Sequence, residues 1–139
     1  MKLITKNTDY AVRALMYLSG RQGEIVAASK IASEEKIPEK FLKRILRELL
    51  KGGFLVSKEG KSGGVKLKVK PGEIKVLDVM KVFQGDFQIT ECMFKKNACP
   101  NRKTCVLRSK VKLIEKDLES KFGKLTIKSL IKDKERMTC

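Results

Sequence analysis

A change of hydrophobic period partway along the chain constrains its fold more than any other feature. Phe41, Leu42, Ile45, Leu46, Leu49 and Leu50 recur at helical spacing up to Lys51. Directly after Gly52-Gly53 the period falls to two, with Val65-Lys66-Leu67-Lys68-Val69 alternating strictly. A pattern of period 3.6 cannot bury its apolar residues as a strand, nor can a pattern of period two do so as a helix. The chain must therefore pass from a helix straight into a hairpin.

Two shorter helical patterns precede that junction. The first opens at Asn7 or Thr8, both good caps, and stops near Gly20, with Ala11, Ala14, Leu15 and Leu18 facing inward. The second covers Ser29 to Glu35 and turns Ile31 and Ala32 inward. Pro38 suits the first turn of the third helix, whose other face is a basic stripe of Lys40, Lys43, Arg44, Arg47 and Lys51. Phe54-Leu55-Val56 reads as the first strand of the hairpin, Glu59 to Gly64 as its turn, and Pro71-Gly72 as its close. A further helix runs from about Lys75 to Gln84, carries Val76, Leu77, Val79, Met80 and Phe83, and stops at Gly85. The expected fold is mainly α with a small β-hairpin: a winged helix-turn-helix. A major groove about 12 Å wide admits one helix, and a β-ribbon can lie along the neighbouring backbone or minor groove. The competing reading of the third helix is an amphipathic helix with a solvated basic face.

Composition decides between these readings. The 139 residues hold 32 Lys+Arg against 16 Asp+Glu, a formal charge of +16, and no His. Such an excess seeks a polyanion; joined to the basic helix and hairpin, it points to double-stranded DNA. Residues 1–70 carry 16 basic and 7 acidic groups, and residues 71–139 carry 16 and 9, so charge alone does not choose the binding face. The missing His excludes Ser-His-Asp and Cys-His catalysis and His-ligated zinc. There is also no nucleotide-binding glycine motif and no pair of thiols at two-residue spacing, so no enzyme is expected. No long apolar stretch follows Met1-Lys2-Leu3-Ile4-Thr5, and no segment approaches the ~20 apolar residues of a membrane span. A cytoplasmic protein without membrane partners is expected.

Beyond the hairpin lies a cysteine segment, with Cys92, Cys99 and Cys105 in a basic, polar stretch without helix or strand periodicity. Three thiols in a cytoplasmic loop attract soft metals, and neighbouring cations favour the thiolate. Zinc sites pair Cys more closely, whereas iron–sulfur clusters accept varied spacings; unpaired thiols remain the plain alternative. Cys139, the fourth Cys, ends a charged tail (Lys132 to Arg136) that reads as disordered. Between these lies a long helix from about Thr104 to Gly123. Leu107, Val111, Ile114, Leu118, Phe122 and Leu125 recur along it at steps of four and three, a narrow seam suited to a second copy of the chain. The division expected is 1–85 for the DNA-binding domain, 86–105 for the cysteine loop, 106–125 for the dimerisation helix and 126–139 for the C-terminal segment.

Nearly the whole chain, about Met1 to Leu130, resembles the winged-helix, cluster-binding bacterial repressors that include IscR, NsrR and CymR. The resemblance runs through Thr8-Asp9-Tyr10-Ala11-Val12-Arg13-Ala14-Leu15, through Ile37-Pro38-Glu39-Lys40-Phe41-Leu42-Lys43-Arg44-Ile45-Leu46-Arg47-Glu48-Leu49, and through Gly60-Lys61-Ser62-Gly63-Gly64. The three Cys then stand just before the long helix. The resemblance implies a homodimeric repressor on a palindromic operator, with Cys92, Cys99 and Cys105 holding an iron–sulfur cluster of four irons, or of two. IscR-like members add a His just after the third Cys, which this chain lacks. NsrR-like members add an Asp from the partner's first helix, and Asp9 matches it; its plain alternative is a carboxylate stabilising a helix N-terminus. Cluster loss, oxidation or nitrosylation would then change operator affinity. CymR-type members imply the alternative, a cluster-free regulator whose Cys form a thiol redox switch or which answers to a protein partner. Lys40, Lys43 and Arg44 would enter the major groove, and Lys58, Lys61, Ser62 and Lys66 would contact phosphate or minor groove. IscR-like wings carry Arg where Glu59 stands here, which alters the expected base preference of the wing.

Overall fold

The computed structural model describes residues 2–89 and 99–138. Six helices and one hairpin follow in the order α1 (Lys6–Ser19), α2 (Ala28–Glu35), α3 (Glu39–Lys51), β1 (Leu55–Lys58), β2 (Gly64–Leu67), α4 (Val76–Gln84), α5 (Val106–Lys124) and α6 (Ile127–Thr138). This is the expected winged helix-turn-helix, mostly helical with a two-stranded antiparallel wing.

The core gathers one stripe from each early helix. Ala11, Ala14, Leu15 and Leu18 of α1 meet Ile31 of α2 and Leu42, Ile45, Leu46 and Leu49 of α3, all essentially buried. Small residues on α1 let the other helices approach its axis closely. The α1 cap is Thr5, before the expected Asn7 or Thr8: its hydroxyl accepts the Thr8 N–H. Thr8 itself is fully buried and donates its hydroxyl to Gln84 Oε1 at 2.7 Å, while Gln84 Nε2 donates to the Leu3 carbonyl at 3.0 Å. The ends of α1 and α4 are thereby tied together. Between α2 and α3, Lys36 takes a left-handed φ of 54° to turn the chain.

Leu55 pairs with Leu67 and Ser57 with Val65 across the wing. Leu55 and Val65 are buried, so the wing packs one face on the core. Val26 adds a bridge on the far side of β2, exchanging both backbone bonds with Val65 at 2.9 Å. That close approach requires Gly64, where any Cβ would run into the Val26 carbonyl.

One expectation fails at the C-terminus. The charged tail is a helix, α6, with Ile127 fully buried and Leu130 and Ile131 packed on the core. The Thr126 hydroxyl accepts the Ser129 N–H, and the Ser129 hydroxyl accepts the Thr126 N–H. This reciprocal cap starts the helix, and apolar residues at helical spacing dock it, despite its charge. Cys139 lies outside the described residues.

Candidate nucleic-acid interface and cysteine turn

Lys40, Lys43 and Arg44 all stand exposed on the first turns of α3. Lys43 is lightly held by Glu39 of its own helix at 3.0 Å, with both side chains about half exposed. Such pairs contribute at most about 1 kcal/mol, so Lys43 can exchange its partner for a phosphate or a base. Arg44 is more constrained: it donates to Asn7 Oδ1 of α1 at 3.4 Å, and its guanidinium lies 5.6 Å from the centre of the Phe41 ring. On the wing, Lys58, Lys61 and Ser62 are exposed, whereas Lys66 is half-buried opposite Val56. Gly60, at φ 108°, and Gly63 shape the tip that presents Lys61 and Ser62.

The structure corrects the reading of Phe41. Its spacing placed it on the core face of the third helix, yet 48% of it is exposed. It lies at the edge of the apolar arc, where Leu42 and Ile45 already fill the contact with the core. Sequence reasoning also missed the Asn7–Arg44 contact, because no local pattern relates residues on two helices.

Cys92 lies outside the described residues, while Cys99 and Cys105 are half-buried, free thiols. They flank a short turn in which Arg102 N–H donates to the Cys99 carbonyl at 2.9 Å and Thr104 N–H to the Asn101 carbonyl at 3.0 Å. Cys105, rather than Thr104, caps α5: its Sγ accepts the Arg108 N–H at 3.4 Å. The Arg108 guanidinium folds back to the Arg102 carbonyl at 3.3 Å. Asp9 sits on the first turn of α1, paired with Arg13 at 3.2 Å, both about half exposed. Among the described residues, no three Cys, Asp or Glu side chains converge on one point.

The α5 seam divides. Phe122 turns to its own chain, 5.8 Å from the Phe87 ring, and Glu119 and Glu115 reach Lys81 and the Ile89 N–H. Val111 and Leu118 are partly covered. Leu107 (75% exposed) and Ile114 (54%) lie open together with Val106 and Leu113, which the seam had not included.

The family described as "Rrf2: Iron-dependent Transcriptional regulator" matches residues 4–133. The chain belongs to the Rrf2 family. It is 31% identical over 137 residues to the helix-turn-helix-type transcriptional regulator NsrR of Bacillus subtilis, covering 97% of this chain and 93% of that protein. Among solved structures, IscR of T. potens superposes with a TM-score of 0.78 at 24% identity, covering all of this chain and 92% of that one. CymR, the global cysteine regulator of B. subtilis, gives 0.74 at 20% identity, over 95% and 98% of the two chains. At those identities the superpositions speak for the fold. This Rrf2-family chain is a DNA-binding transcriptional regulator, and its relatives are regulators rather than enzymes. No helix among the described residues is long and apolar enough to cross a membrane.

Proposed function

We propose that this protein is a homodimeric, cytoplasmic repressor whose affinity for a palindromic operator is set by an iron–sulfur cluster. The supporting observation is the cysteine turn: two free, half-buried thiols at its ends, one of them at the N-terminus of α5. That soft donor pair fits a cluster held by Cys92, Cys99 and Cys105 of one subunit and Asp9 of the partner subunit. A four-iron cluster suits the set best, and a two-iron cluster is compatible with it. When bound, the cluster supplies an iron centre reactive toward oxidants and nitric oxide.

The chain's own residues supply the link to DNA. Asp9 and Asn7 share the first turn of α1, and Asn7 holds Arg44 of α3. Were the Asp9 carboxylate to leave Arg13 for a ligand role, the turn it shares with Asn7 would link that change to the tether on Arg44. Lys40, Lys43 and Arg44 would read the major groove, while Lys58, Lys61, Ser62 and Lys66 hold the backbone or minor groove. Two such units on a two-fold axis would read half-sites about 34 Å apart, or a multiple of that spacing. The open apolar row on α5, together with the partly covered Val111 and Leu118, would form the dimer contact, while Phe122 stays with its own chain.

Anaerobic purification followed by native mass spectrometry tests the reading. A dimer carrying iron and sulfide is expected, with the cluster lost in Cys99→Ala. Stoichiometric zinc without iron would overturn the cluster, and an equally stable cluster in Asp9→Ala would remove Asp9 from it. The free state of Cys99 and Cys105 also suits a second reading, a metal-free regulator switched by thiol oxidation or answering to a protein partner. In that case metal-free protein would bind its operator and respond to mild oxidant.

A further inference from the structure

On the helices α1 to α4 and the two strands of the wing, Phe41 is the one exposed large apolar side chain among the described residues. It stands on the third residue of α3, between Lys40 and Arg44, where a helix entering the major groove meets base edges. Holding an aromatic ring half in water on a strongly basic face forgoes the burial available to it a quarter-turn away, where Leu42 is fully buried. The ring is also engaged, with the Arg44 guanidinium over it and Asn7 holding one Arg44 donor. Arg44 is exposed, and of the guanidinium's five N–H donors only one is engaged, by Asn7, among the described residues.

We propose that Phe41 is a specificity-determining residue that reads the 5-methyl group of a thymine, next to a guanine read by Arg44. This rests on α3 being the recognition helix. Thymine's methyl is the major groove's one apolar base feature, and an exposed aromatic edge complements it. Guanine presents N7 and O6 to a guanidinium in the same groove. The ring and the guanidinium are 5.6 Å apart. With about 3.4 Å per base step, they address bases one or two steps apart.

The test starts from a pool of random-sequence DNA duplexes selected with the intact, anaerobically purified protein. The enriched duplex is then remade with deoxyuridine replacing thymidine at one position at a time, which deletes only the methyl. At one position per half-site the wild type is expected to bind about fourfold more weakly, the value of burying one methyl-sized group. Phe41→Ala should bind thymine and uracil alike at that position, and Phe41→Leu should keep part of the difference. Because Phe41 is half exposed, its variants should stay folded, with a thermal midpoint lowered by only about a few degrees. Wild-type binding indifferent to uracil at every position would overturn the proposal, as would a Phe41→Ala variant with undiminished uracil sensitivity. If Lys43→Ala, Arg44→Ala and Phe41→Ala all select the wild-type sequence, α3 is not the reading element. If only Phe41→Ala does so, α3 keeps that role and the thymine contact falls.

Discussion

Tyr17 shows how a single residue can carry a pH dependence that no sequence pattern announces. It is 8% exposed on α1, with the Arg21 guanidinium 4.1 Å from its ring centre, and its hydroxyl has no hydrogen-bond partner among the described residues. Burial pushes the phenol's pKa up, and the nearby Glu34 adds to the rise against the opposing charge of Arg21. A raised pKa means that the folded state holds its proton more tightly than the unfolded chain. The resulting stability is complete below about pH 10 and is lost as pH rises through the folded value. Urea unfolding from pH 8 to 11 should therefore show a steeper alkaline loss for the wild type than for Tyr17→Phe. The same variant at pH 7 should be no less stable, because it deletes a buried, unpartnered hydroxyl. Spacing did reveal that Ala11, Ala14, Leu15 and Leu18 are core. It could not assign Phe41 or foresee the contact of Arg44 with Asn7, both of which depend on which neighbouring helix reaches the edge of the stripe.

At the scale of elements, the tight α2–α3 connection rests on Lys36, the one described non-glycine residue at positive φ. Left-handed backbone costs an L-residue roughly 1–2 kcal/mol, which glycine avoids. Lys36→Gly should raise the unfolding free energy by about 1 kcal/mol in urea titrations. Its operator affinity should change little beyond the loss of one charge. The C-terminal ends of α1, α3 and α4 were legible to within a residue, since Gly20, Gly52 and Gly85 follow their last apolar turns, whereas α1 is capped two or three residues before the expected position. The failure was α6. Its signals, Thr126 capping with Ser129 and apolar Ile127, Leu130 and Ile131, stood in the sequence beneath a dense run of charge. Net charge argues for disorder only where too little apolar surface is available to bury, and three well-spaced residues sufficed here.

For the molecule as a whole, α5 leaves Val106, Leu107, Leu113 and Ile114 open while its other edge packs on its own chain. Leu113→Glu with Ile114→Glu should weaken self-association by on the order of a hundredfold or more, from about 1.5–3 kcal/mol per buried side chain. Sedimentation equilibrium would read that change, and half-site binding should survive it. A circular dichroism spectrum matching the wild type would show that the fold is kept. By itself, the sequence determined the period switch, the order of helices and wing, the polyanionic partner and the absence of histidine chemistry. These follow from local spacing and from charge, which each stretch of chain carries with it. Only the tertiary structure decided that Phe41 stands out of the core, that Arg44 is tethered to Asn7, and which edge of α5 is open. Each of those depends on which surfaces of distant segments meet, and an amphipathic pattern says that a face is buried without saying against what.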